Sequence, residues 1–132
     1  MATINCFEEL KIWKEARRLF KIINHIILET DLNTDFKLRD QIKASSGSVM
    51  DNIAEGFERG GNMEFRQFLS IAKGSAGETR SQLYRIYDCD YISEKQLEEL
   101  VGDYKQLSKK IASLMNYLNK KEYKGLKFKQ QD

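Results

Sequence analysis

Few side chains in this sequence are suited to covalent or metal chemistry. Its single histidine, His25, and its two cysteines, Cys6 and Cys89, are the whole of its His/Cys supply for a zinc-type site or for a nucleophile paired with a histidine base. A tetrahedral zinc site needs about four such donors, a Ser-His-Asp arrangement would hang on one ring, and a di-iron bundle needs two Glu-x-x-His pairs. Neither cysteine has a Cys-x-x-Cys partner or a cluster of cations that would lower its pKa, so each reads as a small buried side chain. Asn52, Glu55 and Glu78 are polar groups in segments otherwise made of apolar and small residues. Paired carboxylates can share a proton or bind a cation. No activated nucleophile or glycine-rich phosphate loop accompanies them, and Gly74-Ser75 lies inside a helical pattern. The three read as a structural hydrogen-bond network, or else Glu55 lies on the solvated side. No enzyme, metal or cofactor is expected.

The cations carry more information. At helical spacing Lys11, Lys14, Arg18, Lys21 and His25 fall on one face, with the acids displaced to its flanks. Arg66, Lys73 and Arg80 recur at intervals of seven, joined by Ser70, Gly77 and Tyr84 and by no acid. Between these segments Asp40, Asp51, Glu55 and Glu58 line a different helix. Charge is thus sorted by segment, although 22 Lys+Arg against 20 Asp+Glu leave a net charge of only +2. Three readings fit: solvated faces, subunit pairing between acidic and basic helices, or phosphate binding through Lys14, Arg18, Lys21, Arg66, Lys73 and Arg80.

The elements that hold these residues are helices. Proline is absent, and apolar residues recur at spacings of three and four in four blocks. These are Leu10 to Ile27, Leu38 to Phe57, Phe65 to Tyr87 and Leu97 to Leu118. Asn5 with Glu8 and Ser93 with Gln96 fit capping boxes, Thr34 or Asp35 can start the second block, Gly60-Gly61 ends it, and Asn62 precedes the third. The connections, about residues 29–34, 59–62 and 88–93, are short enough to fold each helix back on the last. The expectation is all-α: an up-down-up-down antiparallel four-helix bundle over residues 1–121, followed by a frayed basic tail at 122–132. Trp13, Phe20, Phe57, Phe65 and Phe68 fall on core positions and read as packing, not base-stacking platforms.

Ala44, Ser45, Ser46, Gly47 and Ser48 in the second block, and Ser70, Ala72, Gly74, Ser75, Ala76 and Gly77 in the third, depart from an ordinary bundle. Glycine costs about 1 kcal/mol against alanine in a helix interior, so these positions call for close approach. The second helix packing on the third would supply it, and so would a neighbouring subunit or a nucleic-acid backbone.

The chain's 132 residues are the size of one domain, and 41% hydrophobic with 32% charged residues excludes disorder. The longest uncharged run, Ile111 to Asn119, is too short to cross a bilayer. The first residues lack a basic n-region, an apolar core and a cleavage site, and two cysteines make no disulfide framework, so a cytoplasmic protein with no membrane partner is expected.

The runs FEELKIWKEARRL at 7–19 and LRDQIKASSGSVMDNIAEGFERGGNMEFRQFLSIAKGSAGETRSQL at 38–83 resemble a known family. It comprises the four-helix-bundle proteins encoded in intervening sequences of bacterial large-subunit ribosomal RNA genes, also labelled ribosomal-protein-like. The most specific parts are NIAEG at 52–56, EFRQFL and AKGSAGE, and the resemblance spans about residues 6–119. It implies a ring-like homopentamer. It also implies kinship with the accessory protein of diversity-generating retroelements, which binds nucleic acid and reverse transcriptase. Five copies would concentrate the basic stripes around one axis, which favours nucleic acid, RNA above all, as partner. A homo-oligomeric scaffold recruiting a protein is the alternative. By the same resemblance Asn52, Glu55 and Glu78 are a polar signature that maintains the bundle or an interface, and no catalytic residue comes with them.

Overall fold

The computed structural model describes residues 3–120 and the backbone of Phe128–Lys129. Four helices dominate: α1 (Lys11–Glu29), α2 (Phe36–Glu58), α3 (Asn62–Asp88) and α4 (Glu94–Lys120). A two-residue strand, β1 (Thr3–Ile4), pairs antiparallel with β2 (Phe128–Lys129), tying the two ends of the chain together. The rest of the basic tail read at 122–132 lies outside the described residues.

The ends of the helices show which local signals operate. Ser93 and Gln96 close a full capping box at the start of α4, Gln96 N donating to Ser93 Oγ at 3.1 Å and Ser93 N to Gln96 Oε1 at 2.9 Å. The Asn5–Glu8 box does not form. The chain makes a 3-10 turn over Phe7–Glu9 instead, and α1 begins at Lys11 with Leu10 as a cap that supplies no side-chain acceptor. Asp35 stands at the cap of α2, but its carboxylate accepts from Tyr91 Oη at 2.9 Å rather than from the helix. Gly60 adopts φ 89°, the left-handed conformation that turns the chain out of α2.

The core face of α1 is Ile12, Ala16, Leu19, Ile23, Ile26 and Ile27, which meets Ile42, Ile53, Leu69, Leu83, Leu107 and Ile111 from the other helices. Phe57 and Phe65 are buried and pack edge to face at 5.9 Å, whereas Trp13, Phe20 and Phe68 sit half-buried at the margin. The cysteines also depart from expectation: Cys6 is half-buried and Cys89, in the turn after α3, is exposed. That turn has too few neighbours to cover a thiol.

Helix α2 packs most extensively on α3, and the small residues do two jobs there. A Cβ at Gly56 would stand 2.6 Å from Phe68 Cβ, so glycine is needed for the helices to approach this closely. Farther along, hydroxyls and amides form a seam. Thr79 Oγ1 donates to Ser45 Oγ at 2.9 Å, Ser45 bonds Gln82, Ser48 and Ser75 meet at 3.0 Å, and Asn52 Nδ2 donates to Ser48 Oγ at 2.8 Å. The cross-helix pairs Gln41–Arg85, Ser45–Gln82, Ser48–Ser75 and Gly56–Phe68 run in opposite order along the two helices. Gly74 and Gly77 are different: a Cβ at either would meet nothing within 4 Å, so packing inside the chain does not explain them.

Candidate nucleic-acid interface

The two basic stripes occupy different settings. On α1, Lys14, Arg17, Arg18 and Lys21, with Ile22, line a shallow depression of about 340 Å³ that contains no acidic residue in its wall. Lys14, Arg17, Arg18 and Lys21 are all exposed. Arg18 is not acid-free, however. It bonds Glu15 in the fork geometry at 2.7 and 3.0 Å and reaches Asp103 of α4 at 2.9 Å. The guanidinium is held at a fixed place on the wall, and those hydrogen bonds raise its pKa above the ordinary arginine value. The Arg18 hydrogen bond in turn holds the Glu15 carboxyl below its usual range. Arg17 stacks over the Trp13 ring at 5.8 Å. Sequence reading passed over Arg17, although its spacing of three and four from Lys14 and Lys21 puts it on their face. His25 lies exposed, 4.0 Å from Glu29.

On α3 the three cations share one side of the helix and little else. Arg66 is half-buried and donates to Asn119 Oδ1 of α4 at 2.8 Å, Lys73 is exposed, and Arg80 is half-buried. The polar signature is also dispersed: Asn52 belongs to the α2–α3 seam, Glu55 is exposed and paired with Arg59 at 2.7 Å, and Glu78 is exposed on α3. These carboxylates do not converge, and among the described residues no group of three or more His, Cys, Asp or Glu is placed to hold a metal ion. The Cys6 thiol donates to Glu9 Oε1 at 3.3 Å, and this bond pushes its pKa up, away from the thiolate a nucleophile needs. Asp40, Asp51, Glu55 and Glu58 are exposed along α2, as the charge sorting requires. Between α1 and α2 runs an open groove of about 620 Å³ floored by Phe20, Ala44, Gly47 and Ser48 and edged by Asp40, Asp51 and Asn52 together with the cation Lys43.

Comparison with known proteins decides the family. The family model described as 23S rRNA-intervening sequence protein matches residues 8–113. The chain belongs to this family. A crystallised protein of unknown function from the S23 ribosomal protein family of Bacteroides thetaiotaomicron VPI-5482 superposes with a TM-score of 0.67. It is 24% identical over 79% of this chain and 97% of that one, a likeness that shows the shared helical fold. Proteins of curated function give no match. The family's helical chain has, among the described residues, no helix long and apolar enough to cross a membrane.

Proposed function

We propose that this member of the family is a non-enzymatic, up-down-up-down helical bundle that works in the cytoplasm as a homo-oligomer and binds RNA through backbone phosphates. The α1 depression is the centre of that surface. The observation that carries the reading is the convergence of Lys14, Arg17, Arg18 and Lys21 on one concave wall. A cation cluster of this kind displaces counterions from a polyanion whatever its base sequence. The Glu15 and Asp103 bonds keep Arg18 oriented, which lowers the entropy lost on gripping a phosphate. The pentamer implied by the resemblance would array five such walls and turn a small charge per chain into a strong field. Lys73, exposed on α3, and half-buried Arg80 supply a secondary contact.

The test is a salt titration of binding to a structured ribosomal RNA fragment. Replacing Lys14, Arg17 and Lys21 with Gln is expected to weaken binding at least tenfold for every RNA tried. The slope of log affinity against log salt should fall by about one for each phosphate contact removed. Unchanged affinity and slope would overturn the reading and favour a scaffold that recruits a protein.

A further inference from the structure

We propose that the α1 depression takes a single-stranded stretch of RNA, with one unpaired base lying on the Arg17 guanidinium and the neighbouring phosphates on Lys14, Arg18 and Lys21. The inference rests on the RNA-binding reading above and names the form of RNA that the wall selects. Among the described residues three arginines lie over aromatic rings: Arg17 over Trp13 at 5.8 Å, Arg39 over Phe36 at 4.9 Å and Arg59 over Phe68 at 5.0 Å. Two of them have committed their donors inside the chain. Arg39 bonds Asp40 and the Asn33 carbonyl, both at 2.9 Å, and Arg59 bonds Glu55 at 2.7 Å. Arg17 is exposed, has no carboxylate partner among the described residues, and lines the depression walled by cations.

The local sequence prepares that guanidinium. Trp13 and Arg17 are four residues apart, so their side chains meet on one face of α1. The half-buried Trp13 ring is braced edge-on by Phe7 of the 3-10 turn, with centroids 5.1 Å apart and planes at 68°. Trp13 thus packs, as its position requires, and at the same time sets where the Arg17 plane stands. A planar guanidinium supported on an indole offers its other face to a second π-system, and less side-chain freedom is lost when that system arrives. Every nucleobase has such a face. In an A-form duplex the bases are stacked on one another, so a base can lie on a guanidinium only in loops, bulges and single strands. Lys14 and Lys21 stand about 10.5 Å apart along the helix with Arg17 between them, so a strand laid along the wall meets a cation on either side of the stacked base.

Three probes matched in phosphate count test this on the full chain: a single-stranded oligoadenylate, an abasic strand of the same length, and an RNA duplex. Wild type is expected to bind the oligoadenylate about tenfold more tightly than either of the others. The emission of Trp13, the chain's single tryptophan, should change on binding the oligoadenylate and hold steady with the abasic strand. Arg17→Lys keeps the charge and removes the plane. Its oligoadenylate affinity should fall to that of the abasic strand, while abasic affinity and salt slope stay as in wild type. Three probes that bind alike, each with a steep salt slope, would overturn this inference and leave the phosphate-binding reading standing. A single-strand preference that survives in Arg17→Lys would overturn the assignment to Arg17, and failure of every probe to bind at low salt would overturn both readings.

Discussion

The two halves of the bundle are held by different means. Helices α2 and α3 meet through small residues, with Gly56 against Phe68 at one end and the Ser45, Thr79, Gln82, Ser48 and Ser75 seam along the rest. Among neighbouring helices, α1 and α4 touch least, and the exposed Arg18–Asp103 pair is a bond between their side chains. The buried Tyr104 hydroxyl of α4 finds no partner. Directional hydrogen bonds specify a register, whereas aliphatic packing and one solvated ion pair tolerate small displacements. The half with the specified register leaves Gly74 and Gly77 of α3 facing open space, and the looser half presents the basic depression.

The largest expected effect breaks the tight half. Gly56→Leu adds atoms where even a Cβ would stand 2.6 Å from Phe68 Cβ and 3.1 Å from Phe65 Cδ1. Phe68 Cβ is fixed to its backbone, so α2 and α3 must part. A loss of about 3 kcal/mol is expected in urea denaturation. A loss below about 1 kcal/mol would mean that the α2–α3 approach is soft.

Removing one hydroxyl from each half sharpens the contrast. Thr79→Val keeps the shape of a fully buried side chain but deletes the donor to Ser45 Oγ and Ser75 O. It should destabilise by about 1–2 kcal/mol. Tyr104→Phe removes a hydroxyl that has no partner, and burial already pushes that phenol's pKa up, with the Glu15 charge adding to it. The change should be neutral or stabilising by up to about 1 kcal/mol, because an unsatisfied buried group disappears. Equal losses from the two variants would erase the distinction between the halves.

The sequence conveys these halves unevenly. Four helices and their short turns were legible because the period of apolar residues and the Ser93–Gln96 box are local, and both operate as read. The start of α1 was not, since Asn5 and Glu8 satisfy the capping pattern while the chain finds a 3-10 turn more favourable there. The glycines illustrate the limit best. Gly47, Gly74 and Gly77 look alike in sequence, yet a Cβ at Gly47 would stand 3.7 Å from the Phe20 ring while one at either of the other two would face open space. The glycine that close approach does require is Gly56, set in the NIAEG motif. At the candidate site, the α1 cations follow from spacing, Arg17 included. The partner of Arg18 does not, because Asp103 lies 85 residues away and only the tertiary fold joins them. The α3 stripe was equally legible as spacing, but the Asn119 partner of Arg66 was not, because it lies 53 residues away on α4.

The smallest expected effect separates the halves by pH. Arg18 holds the Glu15 carboxyl below its usual pKa, chiefly through the hydrogen bond between them. A carboxylate whose folded pKa is depressed contributes stability above its unfolded value, and that contribution vanishes as pH falls through the folded value. Arg18 is half-exposed, so water and salt screen the pair and the effect should not exceed about 1 kcal/mol. Glu15→Gln should therefore be less stable than wild type at about pH 7, and the gap should close as pH falls through the folded carboxyl's depressed value and in high salt. Thr79→Val supplies the internal control, because the seam it disrupts contains no titrating group and its deficit should stay constant across the same range. A Glu15→Gln gap that likewise ignores pH and salt would show that Glu15 acts by packing, and would remove the electrostatic prop from beneath Arg18.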